Sequence, residues 1–350
     1  MSMEVKTDCR FYRGEIPCEK KKVCWDCDEY EPIGKRVLII KFGAPGDALR
    51  TTPILKKLKE DGFQEITWIT DSASVEILKL ASNIDRLVTN GMAANLIVQT
   101  EHFDTILSLD KDLEAAALAT IATSADKRGF CVNKYGRLDI FDERSQYALR
   151  LGIDDDLKFN TNDKSVPQYL YEMCGYEYSH QEYELHVETK TKVEILPASV
   201  ALNVGVGPKW PTKAFPKEKW IALAKLLKEN GFQPLIVGGP AETDLIKEIS
   251  NKAVAREIEP APLVEFASML KECVGLVTCD SLALHVGLGI KLPVVGLFCS
   301  TTAAEIEWYG RGKAIISDSG PCYNSSCSEW PGCMSQIDPG VILQELKALI

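Results

Sequence analysis

Short apolar runs alternate with amphipathic segments along most of the chain, and this alternation occurs in two series. The first series predicts strands at 37–40, 66–70, 86–88 and 105–108 and helices at 52–61, 74–81, 114–123 and 142–152. The second predicts strands at 199–204, 234–237, 275–278 and 293–298 and helices at 216–230, 243–251, 263–271, 281–289 and 341–350. Such alternation is typical of doubly wound parallel sheets, so we expect an α/β protein with two Rossmann-like domains facing a central cleft.

The two series divide the chain into four expected parts. A Cys-rich leader spans 1–34, the first Rossmann-like domain 35–190, the second 191–337, and a C-terminal helix 338–350. Residues 153–196 are rich in Asp, Tyr and Glu and are predicted to be irregular, with the linker between the domains near Thr189–Pro197. We expect part of this irregular region to cover the cleft.

The charge balance excludes some classes of partner. The 350 residues include 40 Lys and Arg against 50 Asp and Glu, a net charge of -10, which argues against nucleic acid as the main partner. No apolar stretch is long enough to predict a transmembrane helix, and the polar N-terminus does not resemble a signal peptide. We therefore expect a cytoplasmic protein, and peripheral contact with the inner membrane stays open.

The first candidate for chemistry follows the apolar run at 37–40. Gly43 and Gly46 come directly after this predicted strand, and Asp47 follows them. Because open α/β sheets bind ligands at the carboxyl ends of their strands, glycines there let a ligand or a sharp turn approach the backbone. A carboxylate in that turn is a candidate general base. The alternative is an ordinary strand and helix with Asp47 as a capping residue.

Three further candidates follow strands of the second series. Lys213 lies just before a predicted helix, an arrangement that binds phosphate. Glu242 follows Gly238-Gly239-Pro240, where a carboxylate can bind ribose hydroxyls or merely stabilise its own helix terminus. Asp280 and Ser281 begin another helix and His285 lies one turn further; capping and a structural histidine are the alternatives.

Four segments together resemble a known family. They are Ile39–Pro53, Trp210–Pro216 with Trp220, Val237–Pro240, and Asp280-Ser281 with His285; Asn83–Arg86 also matches a recurring family segment. These segments resemble the heptosyltransferases of glycosyltransferase family nine, and the resemblance covers most of residues 36–312. It implies a GT-B fold and the transfer of heptose from ADP-heptose to the lipopolysaccharide core or a related surface glycan.

The resemblance also implies roles for individual residues. Asp47 would be the base that deprotonates the acceptor hydroxyl, and transfer would invert the anomeric carbon without a required cofactor. Thr212 and Lys213 would hold the donor diphosphate, Glu242 the ribose, and Asp280 the sugar hydroxyls. The implied donor site comprises Gly43, Gly46, Thr212, Lys213, Glu242, Asp280, Ser281 and His285.

One position departs from the family pattern. The family commonly has glycine directly after its Asp-Ser/Thr pair, whereas Leu282 and Ala283 follow here. A side chain at this point narrows the approach of a phosphate or sugar. ADP-heptose is the expected donor, and another nucleotide sugar stays open.

The leader contains a second kind of candidate site. Cys9, Cys18, Cys24 and Cys27 provide four thiols within a short segment, which is typical of a zinc site or an iron–sulfur cluster in a reducing compartment. The catalytic step needs neither group, so a structural or sensory role is expected. A second set, Cys322, Cys327 and Cys333, forms a weaker pattern that could bind metal with Cys299, join the first site or be structural.

Two other functions stay open beside transfer to a surface glycan. The same catalytic residues could glycosylate protein side chains, with the acceptor site somewhere in residues 120–190. Alternatively, the chain could be a non-catalytic GT-B protein that responds to metal or redox state. The Cys-rich leader and the departure at Leu282 are the reasons to consider this function. The sequence indicates neither the acceptor nor the oligomeric state.

Overall fold

A computed structural model describes residues 4–188, 191, 193–207, 209–328 and 331–350. Parts of the predicted linker, namely residues 189, 190 and 192, lie outside these described residues. Pro208 of the predicted phosphate-binding loop also lies outside them. None of the helices in the described ranges is long and apolar enough to cross a membrane.

The first domain contains a sheet with the strand order β3-β2-β1-β4-β5-β6. Its strands are β1 (Arg36–Ile40), β2 (Glu65–Thr70), β3 (Arg86–Thr89), β4 (Thr105–Ser108), β5 (Asp126–Val132) and β6 (Leu138–Ile140). Its helices are α1 (Pro45–Leu49), α2 (Ile54–Glu60), α3 (Val75–Leu78), α4 (Met92–Thr100), α5 (Leu113–Ile121), α6 (Gln146–Arg150) and α7 (Val166–Met173). The pairings are parallel except that of β5 with β6, which is antiparallel.

Several features of this domain were absent from the predicted pattern. The sequence indicated neither helix α4 nor the β5–β6 hairpin, and helix α7 lies within the region that was predicted to be irregular. The predicted helix at 52–61 is preceded by the separate short helix α1, which carries Asp47. The predicted strands at 37–40, 66–70, 86–88 and 105–108 are confirmed as β1 to β4.

The second domain repeats the arrangement, with the strand order β12-β11-β10-β7-β8-β9 and parallel pairing throughout. Its strands are β7 (Ser199–Asn203), β8 (Gln233–Val237), β9 (Arg256–Glu257), β10 (Gly275–Cys279), β11 (Val294–Phe298) and β12 (Gly312–Ile316). Its helices are α8 (Lys217–Glu229), α9 (Thr243–Ala253), α10 (Leu263–Lys271), α11 (Leu282–Gly289), α12 (Gly332–Ser335) and α13 (Pro339–Leu349). The expectation of two Rossmann-like domains is therefore confirmed.

Strand β1 is fixed at its first residue by a cluster of carboxylates. The Arg36 guanidinium lies 2.6 Å from both Glu65 and Glu101, and the Arg36 amide donates to Asp104 Oδ2 at 2.6 Å. The remaining residues of β1 are fully buried in the sheet. Because the arginine joins the starts of β1 and β2 to the loops beside β4, the register of the central strands is fixed at this end.

The two domains meet through helices α1 and α11. A Cβ added to Gly46 in α1 would lie 2.7 Å from His285 Cδ2 in α11, so the two helices approach as closely as a glycine allows. Residues 166–187 extend the contact: Leu185 packs against Gly289, and the Val166 amide donates to the Glu305 carbonyl at 2.9 Å. The carboxyl ends of both sheets therefore face one another.

The Gly46–His285 contact predicts a specific sensitivity to an added methyl group. Gly46→Ala should lower the free energy of unfolding by about 1–3 kcal/mol, because the new Cβ overlaps a buried ring that has little room to move. Chemical denaturation measures the effect.

The matched control is Gly332→Ala in helix α12, where an added Cβ meets nothing within 4 Å. Alanine is the better helix former, so this variant should be as stable as the parent or more stable. Equal behaviour of the two variants would mean that α1 and α11 are not in close contact.

Candidate active site

A cavity of about 670 Å³ lies between the carboxyl ends of the two sheets. It is lined from the first domain by residues including Gly46, Asp47 and Arg50, and from the second by residues including Lys213, Asp280 and His285. Leu151, Gly152, Lys158 and Tyr169 also line it. The expectation that part of the 153–196 region covers the cleft is thus confirmed by Lys158 and Tyr169.

A second cavity, of about 460 Å³, continues from the first. The two cavities share Val206, Gly207, Ser281 and Leu282 in their walls, and the second extends between Glu242 and the apolar side chains of Leu263 and Phe266. Leu282 therefore lies where the two spaces join. Together the cavities form one elongated cleft with a polar and an apolar part.

Asp110 anchors the loop that follows β1. Its Oδ2 atom accepts hydrogen bonds from the amides of Phe42 at 2.9 Å and Gly43 at 2.8 Å and from Lys41 Nζ at 3.1 Å. Burial would raise the pKa of Asp110, but Lys41 and these amides hold it below its usual value. Gly43 has φ of +48°, so it forms the predicted sharp turn. The apolar and glycine pattern did not single out Asp110, because its partners lie far away in sequence.

Asp47 projects from helix α1 into the cavity and pairs with Arg50 one turn later. It also accepts a hydrogen bond from the Ala44 amide at 3.3 Å. Burial disfavours the ionised carboxylate, yet Arg50, Lys41 and His285 together hold the pKa of Asp47 well below its usual range. Asp47 is therefore ionised at neutral pH. Both expectations for this residue are compatible with the geometry, since the carboxylate faces the cavity and also bonds at its own helix terminus.

Arg50 lies between two carboxylates. Besides its contact with Asp47, its Nη1 atom is 4.0 Å from Glu305 Oε2. Burial raises the pKa of Glu305, although Arg50 opposes this shift. Sequence analysis indicated neither Arg50 nor Glu305, although both line the cavity. The only sequence signal for Arg50 was its place at the end of the first motif.

Lys213 and Asp280 form an ion pair on the second-domain side. Lys213 Nζ lies 2.6 Å from Asp280 Oδ2, which also accepts a hydrogen bond from Thr301 Oγ1 at 2.7 Å. Burial alone would raise the pKa of Asp280, but the Lys213 ammonium acts in the opposite direction. The net pKa lies below its usual value, so the carboxylate is ionised. Thr212 is placed differently, because its buried hydroxyl donates to the Asn324 carbonyl at 2.7 Å. Thr212 supports a neighbouring loop and is not among the described residues lining the cavity.

Ser281 lies just before helix α11, but its hydroxyl does not cap this helix. The Ser281 Oγ atom lies 3.0 Å from Thr278 Oγ1 and 3.3 Å from Asn203 Nδ2. The start of α11 therefore faces the junction of the two cavities without its own side-chain cap. Backbone N–H groups at such a helix start attract anions.

Glu242 lies in the wall of the apolar cavity. Its Oε2 atom accepts a hydrogen bond from the Gly239 amide at 2.9 Å. Glu242 therefore stabilises the start of its own helix, which was the alternative considered from the sequence. A Cβ on Gly205 would come within 3.0 Å of the same carboxylate. The carboxylate is therefore held against the loop that follows β7.

His285 is 5% exposed and lies 3.5 Å, through Nδ1, from the Tyr183 hydroxyl. Burial and the nearby Arg50 lower the pKa of His285 to about 4, against the opposing effects of Asp280 and Asp47. The ring is consequently neutral at pH 7. Its contact with Gly46 gives it a structural role between the domains, which was the alternative considered from the sequence.

The leader cysteines do not stand at the spacing of a formed metal site. Among the residues that the structure describes, no group of three or more His, Cys, Asp or Glu could hold a metal ion as arranged. Cys9, Cys18, Cys24 and Cys27 nevertheless all line one small cavity. In the second set, burial and a hydrogen bond with Cys333 raise the pKa of the Cys299 thiol to about 12, with Cys322 and Cys327 nearby. Metal binding by either set stays a prediction.

Residues 97–331 match glycosyltransferase family 9 (heptosyltransferase). The fold is similar to that of a glycosyl transferase family 9 protein from Veillonella parvula, with 16% identity over 90% of this chain and 97% of that chain and a TM-score of 0.66. It is also similar to E. coli heptosyltransferase WaaC, solved with ADP (16% identity, 89% and 97% coverage, TM-score 0.64). The iron-containing dodecameric glycosyltransferase TibC from enterotoxigenic E. coli has a TM-score of 0.54 at 11% identity, with 91% and 77% coverage. No curated protein sequence matches the chain.

The neutral state of His285 predicts a loss of stability on mild acidification. The folded-state pKa is about 4 against an ordinary value of 6.5, so only the unfolded chain takes up this proton between those values. Stability that is present above pH 6.5 is therefore lost as pH falls toward 4. Between pH 7 and pH 5 the loss attributable to His285 should be about 2 kcal/mol.

Denaturant titration of the parent and of His285→Gln at both pH values isolates this contribution. The charged and titratable neighbours, including Asp47, Arg50, Lys213, Asp280 and Glu305, are present in both proteins. Glu305, with its raised pKa, acts in the opposite direction in both. Parallel pH dependence in the two proteins would show that folding leaves the pKa of His285 at its ordinary value.

Proposed function

Because the chain belongs to glycosyltransferase family 9, we propose that it is an inverting glycosyltransferase that moves heptose from ADP-heptose to an acidic glycan such as the lipopolysaccharide core. One observation carries this proposal. Asp47 from the first domain and Lys213 from the second line one cavity, and that cavity opens into an apolar space beside Glu242. A nucleotide sugar has matching parts in the same order: sugar, diphosphate, ribose and base.

The donor is proposed to lie along the cleft with its diphosphate at the junction of the two cavities. Lys213 and the N–H groups at the start of α11 would neutralise the phosphates. The adenine would enter the apolar space near Leu263 and Phe266, with Glu242 on the ribose. Asp280 would bind hydroxyls of the sugar. WaaC, a structural relative of this chain, was solved with ADP, which supports an adenine nucleotide.

Lys213 cannot contact the diphosphate fully while its ammonium is held by Asp280. We therefore expect donor binding to exchange partners: the lysine turns to phosphate, and Asp280 turns to the sugar while retaining Thr301. Both charges are buried in the pair, so each needs a new partner as the old one leaves. The donor supplies both, an anionic diphosphate and hydroxyl donors.

The chemical step is a direct displacement. Asp47 takes the proton of the acceptor hydroxyl, the acceptor oxygen bonds to the anomeric carbon, and the bond from that carbon to the diphosphate oxygen breaks to release ADP. Arg50 lowers the basicity of Asp47 while the two are paired, and Glu305 offers Arg50 a second partner 4.0 Å away. A shift of Arg50 toward Glu305 on acceptor binding would raise the basicity of Asp47 at the moment it is needed.

The acceptor side of the cavity is cationic. Lys111 and Lys158 line it together with Arg50 and Tyr169. Burial lowers the pKa of Lys111 to about 8, so most of this side chain is still protonated at pH 7. These cations favour an acceptor that bears carboxylates or phosphates, which is why we place an acidic glycan before a protein side chain.

Asp47→Asn should reduce the rate of transfer by about 10²–10⁴, the range expected for loss of a general base. The affinity for ADP should stay nearly unchanged, because Asp47 lies on the acceptor side of the cavity. Release of ADP in the presence of acceptor gives the rate, and calorimetry gives the affinity.

Glu305→Gln is the comparison for this variant, since it removes the second partner of Arg50 but leaves Asp47. It should slow transfer by about tenfold. A fully active Asp47→Asn enzyme combined with an inactive Glu305→Gln enzyme would assign the base to Glu305 instead.

Lys213→Ala should weaken ADP binding by about 10–100-fold, the effect of losing one charge-assisted contact to phosphate. Lys225→Ala, on the exposed side of helix α8, is the matched control and should bind ADP normally. Calorimetry with ADP, UDP and GDP measures both affinity and selectivity.

Selective binding of UDP or GDP by the parent would retain the enzyme class and exclude ADP-heptose. Failure of the parent to bind any of the three nucleotides would favour the non-catalytic alternative. Intact-mass detection with acidic glycans and with proteins as acceptors separates the two kinds of transfer.

A further inference from the structure

The leader is built without a hydrophobic core. In its described residues, 4–34, only Cys9 is buried, and the leader contributes no other side chain to the buried cores of the molecule. Its large apolar side chains lie at the surface instead; they include Val5, Tyr12, Ile16, Val23, Trp25 and Tyr30. Some other interaction must therefore hold this segment in one conformation, because so short a segment cannot do so by apolar burial.

The four cysteines of the leader come together on one side of it. Cys9, Cys18, Cys24 and Cys27 line a common cavity, which Lys6, Tyr12, Lys22 and Tyr30 complete. None of the four cysteines is in a disulfide. Cys9 is buried and the other three are partly exposed, so the leader turns all four thiols toward one shared space.

The backbone of the leader turns at each of these cysteines. The Tyr12 amide donates to the Cys9 carbonyl at 2.9 Å, and the Lys21 amide donates to the Cys18 carbonyl at 2.8 Å. Cys24 begins a 3-10 turn that ends just before Cys27. The Glu29 amide donates to Cys27 Sγ at 3.3 Å, so the chain also turns back on this sulfur.

We propose that Cys9, Cys18, Cys24 and Cys27 bind one zinc ion, and that this ion takes the place of a hydrophobic core in the leader. Four thiols suit the tetrahedral coordination of zinc, with Zn–S bonds of about 2.3 Å. Each thiol releases its proton to solvent as its bond to the metal forms. Coordination would bring the four sulfurs closer together around the cavity that they line.

The size of the cavity favours a single ion over a cluster. Its volume is about 10 Å³, roughly the space of one water-sized sphere. An iron–sulfur cluster contains several iron and sulfide atoms, which together exceed this volume. A single ion requires the cysteines only to close further. The lysines at the rim, Lys6 and Lys22, would offset part of the charge of four thiolates.

The position of the leader indicates a structural role for the ion. The leader ends at Gly34, two residues before the start of β1, whereas the active-site cavity lies beyond the last residue of that strand. The five residues of β1 span roughly 16 Å at the usual rise per residue. The metal would therefore be remote from the reacting atoms.

The test uses the full chain. Protein purified without chelator should contain about one zinc per chain by inductively coupled plasma mass spectrometry. After replacement by Co²⁺ it should give the absorption bands of tetrahedral thiolate coordination. The double variant Cys24→Ser/Cys27→Ser should lose this equivalent of metal and both spectral features. Its leader should become sensitive to trypsin at Lys20–Lys22, while ADP binding is retained.

Two control variants separate the leader from the other cysteines. Cys131→Ser changes an unrelated cysteine in strand β5, and Cys333→Ser changes the set that surrounds Cys299. Both should keep the metal content of the parent. If the double variant does not fold, removal of zinc from the parent by chelator and its readdition provide the same comparison, with leader proteolysis as the readout.

Three results would overturn the proposal. These are a parent chain that takes up no metal even after incubation with zinc, a double variant that keeps its metal, and iron with acid-labile sulfide in place of zinc. Loss of metal in Cys333→Ser alone would assign the site to the second cysteine set.

Discussion

The approach of helix α1 to helix α11 is the contact on which the cleft depends. Gly46 leaves room for the ring of His285, and this lets the loop after β1 face the loops after β7 and β10. Each sheet alone would present only part of the charged set, with Asp47 on one side and Lys213 and Asp280 on the other. A neutral histidine suits this place, since a charged ring beside Arg50 would add repulsion where the domains must stay together.

The charged side chains of the cleft are paired with one another in the free protein. Arg50 is held by Asp47, and Lys213 is held by Asp280. Buried charges without partners cost several kcal/mol each, so this pairing keeps the free site stable. Ligand binding would then exchange one charged partner for another, because no charge of these two pairs is left unpaired beforehand. The site can be strongly charged and still lie between two well-packed domains.

The apolar runs predicted the central strands well, because a strand buried on both faces is a continuous apolar segment whatever surrounds it. Asp47, Lys213 and Asp280 were found for a related reason, since each follows such a run. Asp110 and Glu305 were not, because their importance comes from partners that are distant in sequence. Thr212 matched the motif, yet its hydroxyl turns to the Asn324 carbonyl, and no local pattern encodes that choice. The β5–β6 hairpin was missed because its strands are only partly buried and carry charged residues.

The carboxylate cluster around Arg36 has a consequence for how disturbances spread through the molecule. It holds the start of β1 to β2 and to the loops beside β4. Motion in the leader therefore meets a rigid joint before it can enter the strand that carries the catalytic loop. The leader joins this strand through Gly34 and Lys35, so changes within it should leave the geometry of the cleft unaltered.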